Sequence, residues 1–250
     1  MKSLAIKAAK GAGKILMKNF GKVKSVRVKD QESYVTNVDL ESEKFIISTI
    51  REKYPDHDIV SEESGRLNKK SDYRWYIDPL DGTHNYIHKL PMFGVSIGLE
   101  YKGKIILGVI FLPYFNELYV AEKGKGAFLN GKKIKVSNKK MLKKSFIITD
   151  LVLRYLPEKK IDMLNKLKGS VYDIRVLGSA VYGYTSVAKG NADAYITIYT
   201  YPWDVAAGAL IVEEASGKVT DFKGNGWDAN TGKFISSNKK IHDQLVKVLR

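Results

Sequence analysis

Trp75-Tyr76-Ile77-Asp78-Pro79-Leu80-Asp81-Gly82-Thr83-His84-Asn85 is the stretch that decides how this chain folds. An apolar run that reads as a buried strand ends in two aspartates. Pro79 has no amide hydrogen and a fixed φ, so it is expected to force the chain out of the ladder between them. The carboxylates are then delivered at a strand's end. Gly82 permits a tight turn, and Thr83 or Asn85 is expected to cap a following helix, which would aim free backbone amides at the same spot. Two carboxylates this close repel each other, and no Lys or Arg lies between Arg74 and Lys89 to neutralise them. In a chain with 42 Lys+Arg against 27 Asp+Glu and a net charge of +15, that local absence points to a bound cation. Hard oxygen ligands without Cys favour Mg²⁺, with Mn²⁺ the alternative, over zinc. An ordinary Asp-Pro-x-Asp-Gly turn is the plainer reading of the same residues.

Upstream, Asp58-Ile59-Val60-Ser61-Glu62-Glu63-Ser64-Gly65 has the same design, a short apolar pair that runs into acids and a glycine. Two acid-tipped strand ends can meet in space. Before them, Thr36-Asn37-Val38-Asp39 starts a helix with Thr36 or Asn37 as its cap, Ile47, Ile50 and Tyr54 facing inward, and Pro55 closing it. Asp39 in the first turn suits the helix dipole. Residues 21–34, polar and basic with Lys29, Asp30, Gln31, Glu32 and Ser33, read as a mobile loop or hairpin. In residues 1–20, Ile6, Ala9, Gly13, Leu16 and Phe20 recur at helical spacing while Lys7, Lys10, Lys14 and Lys18 form another stripe. That is the first helix of the fold rather than a targeting segment.

Downstream, residues 95–101, 105–112, 118–122, 127–129 and 133–136 are successive strands, with Lys102-Gly103-Lys104 and Asn130-Gly131-Lys132 as turns. Short turns between consecutive strands mean an antiparallel meander. The lysine-rich residues 138–144 mark a boundary, beyond which strands and helices alternate. The expected fold is α+β, a layered αβαβα sandwich. Residues 1–140 would form helices plus an antiparallel sheet, and residues 141–250 a mixed α/β layer. Two turns of this second part stand out. Gly178-Ser179-Ala180 joins strand to helix through small residues, and Pro202-Trp203-Asp204-Val205-Ala206-Ala207-Gly208 opens a closely packed helix with Asp204 in its first turn.

The 250 residues, 44% hydrophobic and 28% charged, suffice for a sizeable core. No apolar run reaches the roughly 18 residues of a membrane span. Without Cys there are no disulfides, thiolate metal sites or Cys nucleophile. A pI near 9.6 attracts polyanions non-specifically, but the lysines are scattered and match no nucleic-acid motif. The expectation is a cytoplasmic protein with no membrane and no specific nucleic-acid partner.

Taken together, Ser61-Glu62-Glu63-Ser64, then residues 75–83, then Trp203-Asp204-Val205-Ala206-Ala207-Gly208 resemble the inositol monophosphatase family of lithium-sensitive, magnesium-dependent phosphatases. The resemblance extends to Thr36 to Asp39, Lys123-Gly124-Lys125-Gly126-Ala127 and Asn130-Gly131, essentially the whole length. It implies the sugar-phosphatase fold, two or three Mg²⁺ ions, a small-molecule phosphate ester as substrate and a homodimer. Glu62, Asp78 and the Leu80 carbonyl would bind a first ion, and Asp78, Asp81 and Asp204 a second. Asp39 and Thr83 match the pair that orients the attacking water, with Asp39 or Glu62 accepting its proton. The Gly82 and Thr83 amides would bind phosphate oxygens, while Gly178, Ser179, Ala180 and Asp204 would contact the substrate. One departure concerns specificity: seven residues before Asp204, where many inositol-preferring members place a glutamate, this chain has Thr197. Strict inositol selectivity is thereby weakened, and the resemblance implies use of both inositol 1-phosphate and fructose 1,6-bisphosphate. A nucleotide phosphatase acting on 3′-phosphoadenosine 5′-phosphate is the rival within the enzymes. A non-catalytic module of transcription complexes is the rival outside them.

Overall fold

The computed structural model describes residues 1–29, 34–67, 70–153, 155–229 and 231–250. In chain order these form α1 (Lys2–Asn19), β1 (Val26–Val28), β2 (Tyr34–Thr36), α2 (Asn37–Lys53), β3 (Asp58–Ser61), β4 (Gly65–Arg66), β5 (Tyr73–Asp81), α3 (Thr83–Ile87), β6 (Gly94–Tyr101), β7 (Lys104–Leu112), β8 (Glu117–Glu122), β9 (Gly126–Leu129) and β10 (Lys132–Lys133). There follow β11 (Phe146–Thr149), α4 (Pro157–Leu167), β12 (Asp173–Val176), α5 (Ala180–Ala188), β13 (Ala194–Thr197), α6 (Pro202–Glu214), β14 (Lys218–Thr220), β15 (Phe234–Ser237) and α7 (His242–Leu249).

Strands β3 to β10 make one sheet of order β10-β9-β8-β7-β6-β5-β3-β4, antiparallel except where β3 runs parallel to β5. Strands β11 to β15 make a second, mixed sheet of order β12-β11-β13-β15-β14. Helices α1 and α2 cover the outer face of the first sheet, α5 and α6 lie between the sheets, and α4 and α7 cover the far face of the second. The αβαβα layering expected from the sequence is therefore the architecture. Each boundary between layers holds its own core. Trp75, Ile77, Ile97 and Val109 pack under α1 and α2; Tyr76, Ile110, Tyr184 and Tyr195 pack between the sheets; Ile147, Met163, Ile196 and Leu245 pack under α4 and α7. Among the described residues no helix is long and apolar enough to cross a membrane.

Local expectations need adjustment at three places. The inner face of α1 is rich in alanine, with Ala5, Ala8, Ala9, Ala12 and Leu16 buried, while Ile6 and Phe20 sit half-buried at its margin. Small residues let α1 approach α2 so closely that a Cβ on Gly11 would overlap the Phe45 ring. In α2 the buried isoleucines are Ile46 and Ile50, with Ile47 only partly covered. The hairpin alternative for residues 21–34 agrees with the antiparallel pairing of β1 with β2, which runs on to Thr36; positions 30–33 of that stretch lie outside the described residues. Lastly, neither Thr83 nor Asn85 caps α3: its N-cap is Gly82, at φ 81°.

Candidate active site

Asp78 and Asp81 are three residues apart, so on a regular strand they would point to opposite faces. Instead β5 continues through Pro79 with a bulge between Asp78 and Asp81 in its pairing with β6. This corrects the expectation that Pro79 ends the ladder. Proline's missing donor is tolerated at a bulge, and the extra residue turns both carboxylates toward one side. Strands β3 and β5 run parallel as neighbours, so Glu62, directly after β3, emerges beside them; its amide donates to the Ile77 carbonyl at 3.2 Å.

Asp204 arrives from more than a hundred residues away, and glycines decide how near it comes. Gly98 and Gly108 face each other across β6 and β7. A Cβ at Gly98 would stand 2.7 Å from Ala206 Cβ, and one at Gly108 2.7 Å from the Ala207 carbonyl. Helix α6 thus rests on bare sheet backbone. Ser96, paired with Asp78 in the register, donates its hydroxyl to the Trp203 carbonyl at 3.1 Å and fixes the helix start. Within that first turn, Asp204 Oδ2 accepts from the Tyr201 amide at 2.8 Å and the Thr200 hydroxyl at 3.0 Å. One carboxylate oxygen each of Asp78, Asp81 and Asp204 lies within 4.8 Å of the others.

Helix α2 supplies a buried polar face that braces these corners. Thr36 is its cap, and Asp39 Oδ2 accepts from the Thr36 amide at 2.9 Å and the Thr36 hydroxyl at 2.5 Å. Asp39 Oδ1 accepts from the Thr83 hydroxyl at 3.1 Å, a hydroxyl that also lies 3.0 Å from the Leu80 carbonyl. Ser42 donates to the Pro79 carbonyl at 2.8 Å. Glu43, one turn beyond Asp39, accepts from the Ser61 hydroxyl, from the amides of Glu63 and Ser64 at 3.1 Å each, and from the Ser64 hydroxyl at 2.6 Å. The loop carrying Glu62 is therefore fastened to α2. On its open side, Lys29 pairs with Glu62 at 3.1 Å and with Glu63.

The convergence encloses a cavity of about 430 Å³ lined by Lys29, Glu62, Asp78, Leu80, Asp81, Gly82, Thr83 and Asp204 on one side. Asp150, Val152, Tyr155, Lys160, Tyr199, Tyr201 and Trp203 line the other. Burial, reinforced by Glu62, Asp81 and Asp204, holds the Asp78 carboxyl far above the usual carboxylate range. Asp204 is raised likewise by burial and then by Glu62 and Asp81, and burial also raises Asp81. Asp39 is pushed up to about 6, chiefly by burial. Burial lowers the Lys29 ammonium, but Glu62 and Glu63 outweigh that and hold it above its ordinary value.

Elsewhere the fold neutralises a buried acid with its own cations: Asp58 is paired with Arg74 at 2.8 Å and Arg66 at 3.0 Å. Among the described residues, Asp78, Asp81 and Asp204 have no such ion pair. Two buried carboxylates and a half-buried third held together without a positive partner are costly unless they bind a cation. An all-oxygen donor set fits a hard divalent ion. These residues suit a metal centre.

The Gly178–Ala180 turn meets this centre through Asp81. The Ser179 hydroxyl donates to Asp81 Oδ1, and the Ala180 amide donates to Oδ2 at 3.0 Å. Asn85 ties the turn from the other side, donating to the carbonyls of Leu177 at 2.7 Å and Gly178 at 3.2 Å. Thr197, in β13, is buried with its hydroxyl on the Tyr199 carbonyl at 3.2 Å. Lys29, Glu43, Asp150, Lys160 and the tyrosines of the far wall were not singled out as site residues by sequence. Glu43 carries a signal, the i, i+4 spacing from Asp39 on one helix face. So do Tyr199, Tyr201 and Trp203, which alternate. Asp150 and the almost wholly buried Lys160 carry none, since only the docking of α4 beside β11 brings them to the cavity.

Comparison with known proteins agrees with this geometry. The family model described as the inositol monophosphatase family matches residues 1–250. The chain is 38% identical to the Nus factor SuhB of Pasteurella multocida, covering 100% of this chain and 96% of the relative. It is also 38% identical to the fructose-1,6-bisphosphatase/inositol-1-monophosphatase of Thermotoga maritima, covering 98% and 94%. The crystal structure of the extragenic suppressor protein suhB from Bartonella henselae superposes with a TM-score of 0.94 at 35% identity, over 99% of this chain and 97% of that one. With motifs, acids and whole-length architecture in agreement, this chain belongs to the inositol monophosphatase family and is a phosphoric monoester hydrolase.

Proposed function

We propose that this chain is a Mg²⁺-dependent phosphomonoesterase of small polyol and sugar phosphates, with inositol 1-phosphate and fructose 1,6-bisphosphate both among its substrates. The observation that carries this is the approach of Asp78, Asp81 and Asp204 to within 4.8 Å in a cavity that also presents the Thr83 hydroxyl, itself on Asp39. Glu62, Asp78, the Leu80 carbonyl, Asp81 and Asp204 would hold two ions, with a third near Glu62. When bound, they supply charge neutralisation for a dianionic ester and acidify water for in-line attack. The remaining roles belong to the chain. Thr83 Oγ1 orients the attacking water and relays its proton to Asp39 Oδ1, whose other oxygen is already occupied by Thr36. Gly82 and Thr83, at the start of α3, contribute amides to the phosphate oxygens. Lys29, bridging Glu62 and Glu63, covers the site from the β1–β2 hairpin. Gly178, Ser179 and Ala180 position the leaving group through their hold on Asp81.

Support for dual use comes from the relative named fructose-1,6-bisphosphatase/inositol-1-monophosphatase and from Thr197. A substrate panel of inositol 1-phosphate, fructose 1,6-bisphosphate and 3′-phosphoadenosine 5′-phosphate tests it. Turnover of the first two, lost in Asp81→Asn, is expected; cleavage of the nucleotide alone would defeat the reading. Relatives named Nus factor SuhB and the net charge of +15 favour a second reading, participation in a transcription assembly. A wild type inert toward every ester, yet binding RNA tightly at physiological salt, would make that the function instead.

A further inference from the structure

A second cavity, of about 530 Å³, lies between α4 and α7, the helices that cover the far face of the second sheet. Its size is that of pockets for small organic molecules. The floor is apolar: Met163 of α4, Ile198 just after β13 and Leu249 of α7 are each almost wholly buried. The rim is cationic. Lys159, Lys166, Lys223, Lys233 and Arg250 surround the floor, and among the described residues Asp162 is the one acid that lines it. Lys166 already matches Asp162 at 3.1 Å. The neighbouring Asp221 carboxylate is engaged in its own turn, accepting from the amides of Lys223 and Asn225 at 2.8 Å each. Among the described residues, Lys159, Lys223 and Lys233 take part in no ion pair. Arg250 donates to the Lys223 carbonyl, which fastens the end of α7 to that turn as one edge of the rim. Lysines on a convex surface are simply solvated, but these ring a recessed apolar floor.

Helix α4 is the partition between the two cavities. Lys159, Met163 and Lys166 recur at helical spacing on the side of the second. Lys160, 2% exposed, serves the first, donating to the Val152 carbonyl on its lip at 2.7 Å. Ile198 in the floor adjoins Tyr199 in the wall of the acid cavity. We propose that the second cavity binds a small anionic amphiphile, a molecule with a phosphate or diphosphate head and an apolar body, and that its occupancy acts on the acid cavity through α4. The head sits among the ammonium groups while the body displaces water from Met163, Ile198 and Leu249. A bare phosphate ion leaves that floor uncovered, and a polyol would bring hydroxyls to a surface with no partner for them. A ligand that favours one position of α4 changes the Lys160 side of the helix, and substrate at the acids changes the ligand's affinity by the same factor.

1-Naphthylphosphonate is the probe, since its P–C bond resists hydrolysis. Calorimetry in excess chelator, where the metal-free acids repel a dianion, should show saturable binding in the wild type and binding about tenfold weaker or more in Lys159→Glu and in Lys233→Glu. Inorganic phosphate and 1-naphthalenemethanol should each bind about tenfold more weakly than the probe. With Mg²⁺ and saturating inositol 1-phosphate, where competition at the acids is removed, the probe should change kcat about twofold or more in the wild type and leave that of both variants unmoved. The binding arm holds whichever ester is the substrate. No saturable binding, an affinity untouched by both charge reversals, or phosphate binding as tightly as the probe overturns the site. Binding without any change in kcat overturns its action through α4. Retention on phosphatidylglycerol vesicles without binding of the soluble probe also overturns the site and makes this face a membrane contact instead.

Discussion

In the proposed mechanism Thr83 and Asp39, joined by a hydrogen bond of 3.1 Å, form the pair on which proton transfer rests. Thr83→Ala removes the hydroxyl that faces Asp39 Oδ1, so kcat for inositol 1-phosphate is expected to fall about 100-fold or more while KM changes little; steady-state kinetics checks this. Glu43 acts one step away. Its carboxylate accepts from two amides and two hydroxyls of the loop that presents Glu62. Glu43→Ala leaves those donors without an acceptor, at a cost of about 1–3 kcal/mol for an unsatisfied buried group. We expect the Mg²⁺ concentration for half-maximal activity to rise more than kcat falls, and Glu43→Asp to recover part of the difference. A residue remote from catalysis contributes to the loss of stability in acid. His242 is wholly buried between the Thr220 and Ser237 hydroxyls, each 2.8 Å away, and burial lowers it to about 4. The unfolded chain takes up its proton below about 6.5, whereas the folded chain resists until about 4. This contribution is therefore present above pH 6.5 and lost as pH falls through that window, by about 1.4 kcal/mol per unit. Urea unfolding at pH 7 and pH 5 should show a smaller loss in His242→Asn than in the wild type.

At the scale of elements, α6 and its bed determine whether a metal centre exists. Gly98 and Gly108 have no room for a methyl group against Ala206 and Ala207. Gly108→Ala should cost about 1–3 kcal/mol as an overpacked contact. Because it lifts α6, it should also weaken Mg²⁺ binding measured by calorimetry, an effect absent from a core variant of equal cost such as Ile147→Val. Much of this scale was legible. The meander, the hairpin turn at Asn130-Gly131, where φ is 48° and 80°, and the start of α2 at Thr36 follow from period, turn chemistry and capping. The bulge at Pro79 was not, because a proline that breaks a strand and one that bulges it read alike until the neighbouring strand is known. The burial of Ile46 where Ile47 was expected on α2 has a similar origin. Its inner face carries Asp39, Ser42 and Glu43, and a pattern sought in apolar residues overlooks a buried polar face.

Across the whole molecule, two scales of charge coexist: a +15 surface and an acidic pocket. The surplus attracts anionic esters toward the site, and salt screens it. kcat/KM for fructose 1,6-bisphosphate, with two phosphates, should therefore fall more steeply between 50 mM and 300 mM NaCl than that for inositol 1-phosphate. Equal slopes would show that the surface lysines do not steer. Asp78 and Asp81 could be picked out of the sequence by the breakers beside them, Pro79 and Gly82, whereas Asp39, Glu62 and Asp204 stood out only once the family resemblance joined them. In the wall opposite, Asp150, Lys160 and Tyr155 could not, since they reach the cavity only through the packing of the second sheet. That Asp78, Asp81 and Asp204 serve one divalent ion site for ester hydrolysis is tested most directly by following phosphate release from inositol 1-phosphate. Release should be undetectable in excess chelator, return on adding Mg²⁺, and stay absent at every Mg²⁺ concentration in Asp204→Asn; undiminished release in chelator would contradict the account.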